Sequence, residues 1–188
     1  YYLMNNEDNL KNLEEEINKL NEFVYKTLNI YKSENMKNKK ENISLKPLFK
    51  ELKKEFENNY SFINFNFKTE DLEFYAVNSI LNSFIKNIIQ NSVDAIIEKL
   101  ENEKFNPKIK VLCRKRGNNL VFYFYDNGIG MDDYTKKNYN KPYYTTKTKG
   151  NGMGSIFIEK FIISSKGDMK ILSEKNKYTI FKIKLKVI

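Results

Sequence analysis

The chain reads as an α+β fold: a two-layer α/β sandwich, helices over one mixed sheet, preceded by a long N-terminal bundle helix. Three observations predict it. Residues 78–100, "NSILNSFIKNIIQNSVDAIIEKL", keep a helical period without Gly or Pro. "KIKVLCRK", "NLVFYFYD", "MKILS" and "YTIFKIKLKV" have the short, β-branched and aromatic character of strands. The N-terminal "NLKNLEEEINKLNEFVYKTLNIYK" has a different period, with Leu10, Ile17, Val24 and Tyr31 recurring at sevens and Leu13, Leu20 and Thr27 between them.

In chain order, residues 1–34 form the bundle helix, whose single apolar seam calls for a partner helix from another chain or from sequence outside this one. "SENMKNKKEN" (33–42) breaks the pattern as a linker. "ISL" (43–45) suits a short strand, and Pro47 suits the first turn of a helix through "LFKELKKEFEN". "SFINFNF" sets Ile63, Phe65 and Phe67 against Asn64 and Asn66, as a half-buried strand does. The long helix 78–100 follows. The two strands around "RGN" make a hairpin that ends at Asp126. A helix from about Gly152 to Ser165 and two final strands complete a second unit spanning 43–188.

Composition bounds the function. With 188 residues, 40% of them hydrophobic, there is material for one folded core. The single cysteine, Cys113, excludes an internal disulfide, and no apolar run is long enough to span a bilayer. These features lead us to expect a cytoplasmic segment without membrane contact. The net charge of +9 raises a nucleic-acid reading. Scattered Lys, with only Arg114 and Arg116 able to form a bidentate fork, argues against it, and no nucleic acid is expected as partner.

Two glycine clusters and a polar helix stripe carry the chemistry. Asn87 and Asn91 are four apart on one helical face, and Asp94 continues their line. They either serve a ligand or cap neighbouring loops. In "YDNGIGMDD", Asp126 ends a strand, where a fixed carboxylate can accept a hydrogen bond from an exocyclic amine such as adenine's. Gly128 and Gly130 let backbone approach a ligand, although "DNG" by itself is also a common turn. In "TTKTKGNGMGS", Gly150, Gly152 and Gly154 alternate directly before a helix, leaving N–H groups and the positive helix end for phosphates.

"NIIQNSVDA", "DNGIGM", "KPYYTTK" and "GNGMGS" stand in the order, and at about the intervals, of the N, G1, F and G2 boxes of sensor histidine kinases. The chain thus resembles the ATP-binding catalytic domain of that family, part of a wider group with DNA gyrase and MutL, and looks most like the nitrogen-regulation type. The resemblance covers roughly residues 43–188. What precedes it resembles the second helix of the dimerisation and phosphotransfer domain.

By position, the resemblance implies ATP and Mg²⁺ as ligands. Asn91 becomes the Mg²⁺ ligand through its side-chain oxygen, Asn87 lies close to the phosphates, and Asp94, which continues their line, is counted with the nucleotide-binding residues. Asp126 binds the adenine amine, Gly128 and Gly130 line the base, Gly150, Gly152 and Gly154 wrap the phosphates, and Met131, Thr145, Thr146, Lys147, Asn151 and Met153 are further nucleotide-binding residues. Residues Met131 to Lys149 become the ATP lid, whose Lys136, Lys137, Lys141, Lys147 and Lys149 are candidates to reach a phosphate. Asn140 replaces the usual F-box Phe, so Tyr139, Tyr143 or Tyr144 takes over as hydrophobic anchor. In the gyrase and MutL branches a water-activating glutamate occupies the position of Asn87, and an amide cannot act as that base. The implied activity is transfer of the γ-phosphate to a histidine. The chain contains no histidine, so the acceptor belongs to an upstream helix; a degenerate nucleotide-binding regulator or an anti-sigma-type serine kinase is the alternative. The implied partners are a response-regulator receiver domain and a second copy through the helical bundle.

Overall fold

The computed structural model describes residues 39–139 and 153–187. The expected bundle helix at 1–34 and residues 140–152, which include the expected lid residues Lys141, Tyr143, Tyr144, Lys147 and Lys149, lie outside the described residues.

The elements are β1 (Glu41–Ser44), α1 (Leu45–Asn59), β2 (Asn64–Thr69), β3 (Glu73–Ala76), α2 (Asn78–Leu100), β4 (Lys108–Arg116), β5 (Asn119–Asp126), α3 (Asp133–Asn138), α4 (Met153–Ser164), β6 (Asp168–Glu174) and β7 (Tyr178–Lys186). Five strands form one sheet in the order β2-β4-β5-β7-β6. The β2–β4 pair is parallel and the others are antiparallel, so the sheet is mixed as the sequence predicts. A small antiparallel pair, β1 with β3, stands apart.

Alternation fixes which face of the sheet is covered. On β5, Leu120, Phe122 and Phe124 are buried, while Tyr123 and Tyr125 lie on the other phase. Their neighbours Ile109, Val111 and Cys113 on β4, and Phe181, Ile183 and Leu185 on β7, continue the covered face. Helix α2 meets that face with Leu81, Phe84, Ile85, Ile88, Ile89, Val93 and Ile96, all at helical spacing and all solvent-inaccessible. Phe84 stacks on Phe161 of α4 with ring centroids 4.3 Å apart, joining the helices above the sheet.

Three details differ from the sequence expectation. β1 starts at Glu41, inside the expected linker, and Leu45 opens α1 instead of closing the strand. β3 was not expected; its "EFYA" is too short to show a period, and its pairing with β1 is what makes it a strand. The start of the expected lid contains helix α3, capped where the Asp132 carboxylate accepts the Thr135 N–H at 2.8 Å.

Beyond β5 the chain is pinned at both glycines. A Cβ on Gly128 would lie 2.6 Å from the Ala95 carbonyl carbon, so the turn rests directly on the backbone of α2, and the Ile129 N–H bonds the Ala95 carbonyl at 2.9 Å. Gly130 has φ of +65°, and a Cβ there would come within 2.1 Å of the Glu174 carbonyl oxygen. Lys99, at 9% exposure, ties the same region together by donating to the carbonyls of Asn127 (3.4 Å) and Asn176 (2.8 Å). The hairpin glycine Gly117 also has positive φ, +56°, but a Cβ there meets open space.

The two glycines therefore separate backbone strain from steric conflict. Gly117→Ala is expected to cost about 1 kcal/mol, the left-handed conformation alone. Gly130→Ala is expected to cost more than about 2 kcal/mol, because the β6–β7 turn must also move. Urea unfolding of both variants checks this, and equal costs would contradict the packing described for Gly130.

Candidate functional site

Asp126 is the last residue of β5 and falls on its covered phase, so its carboxyl is carried into the interior at 1% exposure. Oδ1 accepts the Gly128 N–H at 3.0 Å. Burial pushes the carboxyl up to about 7, against the opposing pull of the Gly128 N–H and the Ser92 hydroxyl. Ser92, on α2 and 1% exposed, makes no hydrogen bond of ordinary geometry among the described residues, so its hydroxyl is a further polar group in the same interior region.

Across the ladder Asp126 pairs with Thr179 of β7, which is 2% exposed. The Thr179 and Ser173 hydroxyls lie 3.0 Å apart; Ser173 also donates to the Tyr178 carbonyl at 2.7 Å and accepts the Met131 N–H at 2.8 Å. A polar chain thus runs from Thr179, the ladder partner of Asp126, through Ser173 to the first residue of the expected lid. Met131 itself packs against the edge of the core.

On α2, the Asn91 side chain donates from Nδ2 to the Tyr139 hydroxyl at 3.0 Å. Tyr139 follows α3 and packs its ring on Phe181, centroids 5.1 Å apart. Burial raises the Tyr139 hydroxyl above its ordinary range; the Asn91 bond opposes the shift and the Asp126 charge adds to it. Of the three candidate anchors, Tyr139 is therefore one that reaches the core. Asn87 donates to the Ser83 carbonyl at 2.7 Å, and its Oδ1 lies 3.3 Å from where a Cβ on Gly154 would stand. The stripe and the start of α4 consequently meet at a residue without a side chain. Asp94 is turned into a different contact, accepting from Gln90 Nε2 at 2.8 Å. Lys136 donates to the Ser173 carbonyl at 3.1 Å and pairs with Asp133 at 2.7 Å.

The structure thus brings Asp126, Gly128, Gly130 and Met131 together with Asn91 through Tyr139, and Asn87 with Gly154. Thr145, Thr146, Lys147, Gly150, Asn151 and Gly152 lie outside the described residues, and Met153 opens α4. Sequence reasoning missed Ser92, Ser173 and Thr179. The signal for Thr179 was present: it is the one hydroxyl on a phase otherwise filled by Phe181, Ile183 and Leu185.

Comparison with known proteins bears on the family and the fold. Residues 77–188 match the family described as histidine kinase-, DNA gyrase B-, and HSP90-like ATPase. The sensor histidine kinase FlgS of Helicobacter pylori is 30% identical over 145 residues, which are 76% of this chain and 36% of FlgS. Sporulation kinase B of Bacillus subtilis is 28% identical over 128 residues, 68% of this chain and 28% of the kinase. The chain therefore spans about a third of the length of these relatives. In fold it is similar to the catalytic domain of the histidine kinase ThkA, with a TM-score of 0.68 at 23% identity over 79% of this chain and 96% of that one. It is also similar to the Acinetobacter baumannii histidine kinase AdeS, with a TM-score of 0.72 at 17% identity over 95% of this chain and 83% of that one. The matched family model spans more than half of the chain, and the chain belongs to the histidine kinase-, DNA gyrase B-, and HSP90-like ATPase family.

Proposed function

We propose that this chain binds Mg·ATP through the Asp126 and Asn91 sites and presents the γ-phosphate to a histidine on a helix outside the chain. The observation that carries the reading is the buried Asp126 carboxyl, held by Gly128 and poised near neutrality. Ionised, it accepts the adenine amine; guanine offers a carbonyl there and is refused. Gly128, Gly130 and Met131 line the base, while Gly150, Gly152 and Gly154, with Thr145, Thr146, Lys147 and Asn151, wrap the phosphates under a lid that begins at Met131.

The residues present suit Mg²⁺ in one particular way. The described residues hold no cluster of three or more His, Cys, Asp or Glu able to form a cage. The Asn91 amide, oriented by its Nδ2 bond to Tyr139, supplies a neutral oxygen. That matches an ion held mainly by phosphate oxygens and water, as Mg²⁺ prefers. Mg²⁺ would neutralise phosphate charge there. Asn87, whose amide donates to Ser83, cannot take a proton from water, so the site holds ATP for another nucleophile rather than hydrolysing it. The full protein would dimerise through the helical bundle, work in the cytoplasm and pass its phosphate to a receiver domain.

Asn91→Ala is expected to abolish the Mg²⁺-dependent part of ATP affinity in calorimetry. Tyr139→Phe removes the same internal hydrogen bond but keeps the ligand oxygen, and should retain most of that affinity. Equal losses in the two variants would make Asn91 a structural residue only.

The shifted carboxyl sets a pH dependence. Binding an amine donor requires the ionised form, so ATP affinity should rise with pH, by up to about tenfold per unit below neutrality, and level off above about pH 8. Neither Tyr125 nor Tyr139, the titratable neighbours, changes charge in that window, because both hydroxyls are raised. Unliganded, the folded protein keeps a proton that the unfolded chain releases near pH 4, so Asp126 weakens the fold as pH rises from about 4 to about 7. Asp126→Asn should flatten the affinity profile and cost about 1.5–3 kcal/mol of binding at high pH. A parent profile without slope between pH 6 and 8 would contradict the assignment.

Incubated with γ-labelled ATP, the chain should remain unlabelled, and labelling should appear on an added helical hairpin that carries the acceptor histidine. Rapid hydrolysis by the chain alone would favour the ATPase branch of the family.

A further inference from the structure

The outer face of the sheet carries chemistry that the nucleotide site does not use. Strand register aligns Lys110, Tyr125, Ile180 and Leu172 in one row across β4, β5, β7 and β6, and Leu112, Tyr123, Lys182 and Lys170 in the next. Arg114 and Lys184 flank Val121, and Arg116 and Lys186 flank Asn119, continuing the face toward the far end of the strands. All these basic side chains are exposed, and none forms an ion pair among the described residues. The acids on this phase of the strands are Asp168 and Glu174, both on the edge strand β6.

We propose that this face docks on a bilayer surface of anionic lipid headgroups. Lysine supplies hydrated, non-directional positive charge, which suits a surface of mobile anions more than a fixed pattern of acceptors. The side chains form a basic layer over aromatic rings: the Lys110 ammonium lies over the Tyr125 ring at 5.4 Å and the Lys182 ammonium over Tyr123 at 5.7 Å, both on exposed side chains, so positive charge sits at the surface of the sheet. Leu172, 56% exposed beside Ile180, adds a shallow apolar contact. Single-stranded nucleic acid would need open ring faces for stacking, and here the lysines occupy them while Tyr125 stacks on Tyr178 at 6.5 Å. An acidic protein partner is disfavoured because protein interfaces deplete Lys and centre on anchors seated in pockets.

The proposal departs from the sequence expectation of no membrane contact, which rested on the lack of an apolar run long enough to span; no described helix is long and apolar enough to span. Surface binding needs no span. Because Asp126 points to the covered face, a bilayer against the outer face leaves the nucleotide site open.

The test is sedimentation of the full chain with phosphatidylcholine vesicles, with and without about one-third phosphatidylglycerol. Binding is expected only with the anionic lipid. Joint substitution Lys182→Gln, Lys184→Gln and Lys186→Gln should weaken it on the order of 100-fold, at about fivefold per lysine. The same charge removed from α1, by Lys46→Gln, Lys50→Gln and Lys54→Gln, should leave it within about fivefold of the parent. ATP affinity unchanged in both variants confirms that they fold. No binding to the anionic vesicles overturns the proposal, as does an equal loss in the two variants, which would reduce the effect to net charge. Retention on polyuridylate or polyglutamate without vesicle binding also overturns it and assigns the face to nucleic acid or to an acidic protein.

Discussion

The burial of one carboxyl organises this protein. Taking Asp126 out of water disfavours its charged form by several kcal/mol, and the surroundings return only part of that through the Gly128 N–H and the Ser92 hydroxyl. The result is a group near the midpoint of its titration, which a donor entering the site can ionise. Its placement depends on strand phase, since a one-residue slip of β5 would turn Asp126 outward and bury Tyr125 instead. The aromatic pairs Phe122 and Phe124 within β5, and their partners Ile183 and Phe181 on β7, fix that phase.

The loop after Asp126 must then be held without bulk. Gly128 lies on the backbone of α2 and Gly130 on the β6–β7 turn, so the glycines read from sequence as room for a ligand are first of all room for the protein's own backbone. Lys99 completes the arrangement from the far end of α2, and its charge is accommodated by two carbonyls, Glu103 at 3.9 Å and the Phe105 ring at 4.6 Å. Nothing in the sequence marked Lys99, because a lysine three residues after Ile96 on a helix looks like a solvated end.

Most of the fold was legible because its elements are long and periodic. The helix at 78–100 and the hairpin of β4 and β5 came out at their observed limits or within a residue or two of them. β3 was not legible, since four residues carry no period and only the partner β1 makes them a strand. Helix α3 could have been read from Asp132 followed by Thr135, a capping pattern hidden inside a segment assigned to the lid. In the site, residue types were legible and pairings were not. Asn91 could be singled out from its helical spacing, but its hydrogen bond to Tyr139, 48 residues on, is a product of the tertiary fold. The sheet's two faces also differ in chemistry: the covered phase carries the buried Asp126 carboxyl of the candidate site, and the open phase carries a row of exposed Lys and Arg that the sequence showed only as part of a total.

The most direct test of the account is the titration of the Asp126 carboxyl itself, followed by carboxyl carbon NMR with and without Mg·ATP. The expected midpoint is near 7 in the free protein, moving toward the ordinary carboxylate range of about 4 when nucleotide binds. A free-state midpoint already in the ordinary range, or one that ATP leaves unmoved, would contradict it.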